Sequence, residues 1–140
     1  MRTVVPDASI LIKWVLPQGS EPDQVAAYAL RNGVATGKFE LKLPPLWIYE
    51  VSNTLGRLYP EHAENMIESL LMLGITECDW DLPWLWQALS LMRDHKVSFY
   101  DAAYHALALV EKGMFVTADS QYARKVAGTK GVTLLRDWKT

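Results

Sequence analysis

The stretch Thr3-Val4-Val5-Pro6-Asp7-Ala8-Ser9-Ile10-Leu11-Ile12-Lys13-Trp14-Val15-Leu16-Pro17 decides the fold class, because its side-chain pattern changes within a few residues. Thr3 to Val5 are β-branched and read as a short strand, whereas Ser9 to Leu16 form an apolar helical run that Pro17 ends. Ser9 is the expected N-cap of this helix. That leaves Asp7, directly after the strand, without an evident structural task.

The strand-turn-helix unit is repeated along the chain. The sequence predicts a helix over 22–32 after Ser20, closed by Gly33 and Gly37, then a strand from Glu40 to Leu43. A helix from Leu46 to about Tyr59 stops at Pro60, and another from Glu61 to Leu73 ends at Gly74, as in a helical hairpin. Further on come a strand Ile75–Cys78 and a helix Leu82–His95 with Pro83 in its first turn. Ser98 caps a helix to about Lys112, and strand Met114–Thr117, helix Ser120–Ala127 and strand Val132–Leu135 complete the order. Short strands separated by helices predict an α/β fold with a mostly parallel sheet of four to five strands, covered on both faces by helices.

At 140 residues, half of them apolar, the chain suits a single domain spanning 1–140. No run approaches the ~18 uninterrupted apolar residues of a membrane span, and the opening is too short before Pro6-Asp7 for a signal peptide, so a cytoplasmic location is expected. The single cysteine, Cys78, excludes an internal disulfide and reads as a small core residue. The net charge of −2 argues against a general nucleic-acid coat. Its distribution is uneven: residues 1–118 hold nine Lys/Arg against fourteen Asp/Glu, and residues 119–140 hold five against two. If divalent cations neutralise some of the acids, an anionic substrate remains compatible with this balance.

Four acids stand where such a fold gathers ligands. Asp7 and Asp119 follow strands, and ligands of open α/β sheets collect beyond the carboxyl ends of strands. Glu50 lies within Leu46-Trp47-Ile48-Tyr49-Glu50-Val51, where a buried carboxylate needs a partner. Asn53 and Arg57 share its helix face at i+3 and i+7. Asp101 closes the capping-box pattern Ser98-Phe99-Tyr100-Asp101, and a first-turn acid is also kept ionised by the helix dipole. Each acid also has a plain structural reading, as a cap, a turn residue or a solvent-facing helix residue. Together they would repel one another unless cations fill the site, and their all-oxygen donor set suits Mg²⁺ or Mn²⁺. Two such ions, about 4 Å apart, activate a water and steady the leaving oxygen of an in-line phosphodiester displacement without any histidine, cysteine or serine nucleophile.

Of the histidines, only His105, four residues after Asp101, is placed to approach these acids, and no spacing matches a zinc motif. Trp80, Trp84 and Trp86 surround the helix from Leu82 and read either as a partner surface or as core filling, with base stacking as a third choice. Trp14 belongs to the core or an interface.

Val4-Val5-Pro6-Asp7-Ala8-Ser9 with Lys13-Trp14, Glu50-Val51-x-Asn53, Ser98-x-Tyr100-Asp101-Ala102-x-Tyr104 and Thr117-Ala118-Asp119 together resemble the PIN-domain family over essentially the whole chain, and within it the VapC-type toxins of toxin–antitoxin pairs. The resemblance implies a three-layer α/β/α domain that binds Mg²⁺ or Mn²⁺ and hydrolyses RNA, often a structured RNA such as tRNA. It implies a homodimer and a VapB-like protein antitoxin as partner. By carry-over, Asp7, Glu50, Asp101 and Asp119 are the metal-binding catalytic acids, and Ser9, Asn53 and Thr117 support them through hydrogen bonds. Lys13, Arg57 and the basic C-terminal region are the candidates for holding RNA.

Two other functions fit parts of this pattern. An aspartyl-phosphate phosphatase or receiver-like domain also places an acid after its first strand, but the phosphatases have the pattern Asp-x-Asp and this chain has Ser9 at the third position. A catalytically silent binding module of the same fold would use the tryptophan-rich surface and leave the acids idle.

Overall fold

The computed structural model describes residues 1–139. In chain order the elements are β1 (Arg2–Pro6), α1 (Ala8–Val15), α2 (Gln24–Ala35), β2 (Phe39–Leu43), α3 (Trp47–Leu58), α4 (Ala63–Leu71), β3 (Thr76–Glu77), α5 (Leu82–His95), α6 (Phe99–Val110), β4 (Met114–Thr117), α7 (Ser120–Lys125) and β5 (Val132–Leu134), with a 3₁₀ turn at Leu135–Asp137. The strands form one all-parallel sheet in the order β3-β2-β1-β4-β5. The chain thus steps outward from β1 on one side, returns past it, and steps outward on the other. Right-handed crossovers in opposite directions put helices on opposite faces. Accordingly α1 packs with α2, α3 and α4, while α6 packs on α5, β1 and β4. The result is the three-layer α/β/α architecture expected from the sequence.

Burial follows from position. The central strand β1 is covered on both faces, so Val4, Val5 and Pro6 are all buried. β2 alternates Phe39, Leu41 and Leu43 inward with Glu40 and Lys42 outward. Gly113 lets the turn after α6 pass close to β1, since a Cβ there would come within 2.7 Å of the Thr3 carbonyl oxygen. No helix among the described residues is long and apolar enough to cross a membrane.

The local departures from expectation have identifiable causes. The second helix starts at Gln24, because Asp23 takes a left-handed conformation with φ 58°. The Gln24 side-chain amide then ties the preceding loop, donating to the carbonyl oxygens of Lys13 and Pro17 and accepting from Gly19 N–H. Gly33 does not close this helix. It lies against the Phe39 ring, which a Cβ would meet at 2.5 Å, and the helix continues to Ala35. The tryptophan cluster divides. Trp84 is buried, donates from Nε1 to the Ala103 carbonyl and packs edge-on to Phe99, whereas Trp80 and Trp86 are exposed. Trp14 belongs to the core.

Candidate metal and catalytic centre

β1 and β4 are neighbours in the sheet, yet the chain leaves them toward opposite sides, and such a switch point opens a crevice at the carboxyl ends of the strands. Pro6 pairs with Val116, and Asp7 N–H donates to the Val116 carbonyl, so Asp7 emerges beside the end of β4. Asp119 leaves β4 two residues beyond Thr117. Asp101 arrives on the first turn of α6 from one helical layer, and Glu50 on the first turn of α3 from the other. Asp7, Ala8, Ser9, Glu50, Asp101, Tyr104 and Asp119 line one cleft.

The inner acids are clamped. Asp7 caps α1 by accepting from the N–H groups of Ser9 and Ile10, which corrects the expectation that Ser9 is the cap. The Ser9 hydroxyl donates to the same oxygen, Oδ1, and the Thr117 hydroxyl donates to Oδ2 at 2.6 Å. Thr117 Oγ1 in turn accepts from Asp119 N–H at 3.0 Å, so one buried hydroxyl links the two strand-end acids. Glu50 finds the partner its burial demands in Tyr104, whose phenol donates to Oε1 at 2.6 Å from the opposite helical layer. Tyr104 is itself buried and stacked on Phe115.

The rim acids are exposed. Asp119 caps α7, accepting from Gln121 and Tyr122 N–H, and this task falls to it rather than to Ser120. Asp101 N–H donates to the Ser98 hydroxyl, the first half of the capping box. The reciprocal bond from Ser98 N–H to the carboxylate is not among the hydrogen bonds of the described residues; the Ser98 hydroxyl partly opposes the rise that burial and the Asp119 charge impose on the Asp101 pKa.

The electrostatics are those of a cluster of acids that raise one another's pKa values. Burial pushes the pKa of Asp7 above the usual carboxylate range, with the Ser9 and Thr117 hydroxyls opposing it and the charge of Asp101 adding to it. Glu50 is also raised by burial, against the Tyr104 bond and with the charges of Asp7 and Asp101. Burial, then the charge of Asp119, raises Asp101. None of the four makes a salt bridge among the described residues. Such mutual repulsion is relieved by a divalent cation, and the donors are hard oxygens of the kind Mg²⁺ and Mn²⁺ take. By donor chemistry the set fits the ion. The spacing is wider: among the described residues no three acids stand close enough to hold one ion together.

Other expected contributors lie elsewhere. Asn53 and Arg57 are exposed on α3 and do not line the cleft, and the Asn53 side chain makes no hydrogen bond among the described residues. Lys13 is buried, with Nζ 3.3 Å from Glu21 and donating to the Pro22 carbonyl, so its charge is engaged inside the protein and not offered to a ligand. His105 does not approach the acids. It is fully buried, with Nδ1 2.8 Å from the Tyr122 hydroxyl and Nε2 donating to the Lys130 carbonyl. Tyr104 is the contributor that the residue-by-residue reading did not single out. Its place on α6 one turn after Asp101 was the available signal, but its partner lies 54 residues away in sequence.

A comparison with curated protein sequences gives no significant match. Solved structures give several. A chain of the toxin–antitoxin complex from Klebsiella pneumoniae aligns with TM-score 0.68 at 16% identity, covering 96% of this chain and 98% of that one. VapBC2 from Rickettsia felis, bound to a promoter DNA fragment, gives 0.70 at 12% identity, covering 94% and 96%. FitAcB from Neisseria gonorrhoeae gives 0.71 at 14% identity, covering 96% and 99%. These likenesses establish the fold. The family model of the PIN domain matches residues 4–128, nearly the whole chain, and the chain therefore belongs to the PIN domain family.

Proposed function

We propose that this protein is a Mg²⁺- or Mn²⁺-dependent endoribonuclease, the toxin of a VapBC-type toxin–antitoxin pair, in which Asp7, Glu50, Asp101 and Asp119 hold the metal. The observation that carries this reading is the cleft itself: four carboxylates from four separate segments, none in a salt bridge among the described residues, line one cleft at the switch point of a parallel sheet. Membership of the PIN domain family supports it, as do structural relatives that are themselves toxin–antitoxin proteins. The same relatives support a VapB-like protein antitoxin as partner. A homodimer, a cytoplasmic location and a structured RNA such as tRNA as substrate complete the proposal.

When bound, the cation supplies Lewis acidity toward the phosphodiester and an acidified water. The chain's own residues provide the frame. Ser9 and Thr117 fix both oxygens of Asp7, and Tyr104 fixes one oxygen of Glu50 and leaves Oε2 free to face the cleft. Asp101 and Asp119 lie on the exposed rim. Because no His, Cys or Lys lines the cleft, its charge contribution is purely anionic, and the attraction of an anionic substrate depends on the cation it collects.

The test is Asp7→Asn, with circular dichroism and RNA cleavage measured together, and with chelator added to the unmodified protein. Retained cleavage in a folded variant, or activity that survives chelation, would overturn the assignment. Among the described residues no three acids stand at ligating distance, and this spacing favours a second reading, a silent binding module. Calorimetry with Mn²⁺ separates the two, since the module would bind none.

A further inference from the structure

The cations around the cleft are distributed unequally. On the α1–α2 side Lys13 is buried against Glu21, and Arg31 donates to the Trp14 carbonyl while lying over the Tyr28 ring. On the side formed by the end of α5 and by α7, Lys96, Arg124 and Lys125 are exposed and make no salt bridge among the described residues. The acid nearest to them on α5, Asp94, is already against Arg93.

These three cations belong to one surface because α5 and α7 are tied at their ends. His95 donates from Nδ1 to the Lys125 carbonyl at 3.1 Å, and its Nε2 lies 3.4 Å from the Thr129 hydroxyl. Lys96 follows His95 as the left-handed C-cap of α5, which turns the chain directly into Ser98 and the first turn of α6. That turn carries Tyr100, 62% exposed, next to Asp101. Lys125 is near enough for its charge to be felt at Asp101. An exposed aromatic ring beside Asp101 and three cations without a salt bridge among the described residues therefore lie on the α5–α7 surface that leads into the first turn of α6, next to an acid of the proposed nuclease cleft.

We infer that Lys96, Arg124 and Lys125 form a track for the strand flanking the scissile phosphate, with Tyr100 stacking a base at the edge of the cleft. The inference rests on the nuclease reading and extends it by naming the side on which single-stranded RNA lies. Cations that take phosphates give sequence-independent, salt-sensitive affinity, and an aromatic ring takes any base.

The experiment uses the full chain carrying Asp7→Asn, so that binding is read without cleavage, and a fluorescein-labelled twelve-nucleotide oligouridine RNA in Mn²⁺ buffer. Fluorescence anisotropy over a salt series gives Kd and its salt slope. Adding K96N, R124S and K125S together is expected to raise Kd at least about tenfold and to reduce the slope of log Kd against log salt by about 2, from three lost phosphate contacts on a single strand. Asn at position 96 keeps the left-handed backbone accessible. Adding Y100A instead raises Kd about tenfold with the slope unchanged. K38S with K112N, at the opposite edge of the sheet, leaves both quantities as they were. If the triple substitution leaves the slope unchanged while the parent variant still binds, the track is wrong and the nuclease reading stands. If neither the unmodified chain nor any variant binds the RNA, both fall together.

Discussion

Asp7 and Asp119 leave adjacent strands at the same edge of the sheet, and each caps the helix that follows, yet the protein holds them differently. Asp7 is gripped on both oxygens by the Ser9 and Thr117 hydroxyls and by two N–H groups of α1. Asp119 is exposed, and its bonds are the two cap bonds to one oxygen, Oδ1. Glu50 and Asp101 repeat the contrast, the first tied across the sheet edge by Tyr104 and the second exposed at a helix start. The cleft thus has a hydrogen-bonded floor and an exposed rim.

The largest effect that would break or sharpen this contrast is in catalysis. Asp7→Asn is expected to lower RNA cleavage roughly 10²- to 10³-fold or more while the fold survives, because asparagine caps a helix as well as aspartate does. Asp119→Asn should cost less, since water or a neighbouring rim acid can replace its free oxygen. Equal losses would erase the distinction between floor and rim.

Next come the residues that do the holding. Tyr104→Phe keeps the ring on Phe115 and removes only the bond to Glu50; Thr117→Val removes the hydroxyl shared by Asp7 and Asp119. Each is expected to weaken Mn²⁺ binding, measured by calorimetry, about 10- to 100-fold. Thr117→Val should also destabilise the protein by about 1–3 kcal/mol in denaturant titration, since it leaves a buried carboxylate oxygen short of a donor. Unchanged Mn²⁺ affinity in both variants would mean that the floor is not preorganised.

The pH dependence of stability follows from the raised pKa values of Asp7, Glu50 and Asp101. A carboxyl whose pKa is raised by folding binds its proton more tightly in the folded state, so ionising it costs stability. For these three groups, metal-free stability is greatest below the ordinary carboxylate pKa and declines as pH rises through the raised values. The metal-free melting temperature should therefore fall as pH rises above the ordinary carboxylate range, and the fall should be shallower in Asp7→Asn and abolished by saturating Mn²⁺. A melting temperature that climbs over this range would remove the uncompensated floor from the account. The smallest effect is expected at Asn53: Asn53→Ala should change stability by less than about 0.5 kcal/mol and cleavage by no more than about twofold, because the side chain is exposed and unbonded. A loss as large as that of Thr117→Val would show that α3 rotates toward the floor when the site is loaded.

Much of this molecule was legible in one dimension. The order of strands and helices follows from local signals, and α5 and β4 match their expected bounds, because Pro83 in the first turn of α5 and Gly113 just before β4 are strong boundary residues. The four acids were legible for a similar reason: strand ends and first helical turns are local features. What the tertiary structure changed shares a cause as well. Whether Asp7 or Ser9 caps α1 depends on backbone angles that composition does not set, and Lys13 and His105 sit on the helix positions their spacing suggested but are claimed by Glu21, Pro22, Tyr122 and Lys130. Tyr104 is the converse case, a side chain whose task exists only because α3 and α6 approach from opposite layers.

By itself, then, the sequence determined the alternation of strand and helix and the positions of four carboxylates at element ends, since each of these is written in residues within a few places of one another. The tertiary structure alone decided which carboxylates are clamped and which are free, which cations remain exposed, and which hydroxyls serve the acids. Those outcomes depend on the strand order that places β1 beside β4, and so brings Thr117 within hydrogen-bonding distance of Asp7 across 110 residues of chain.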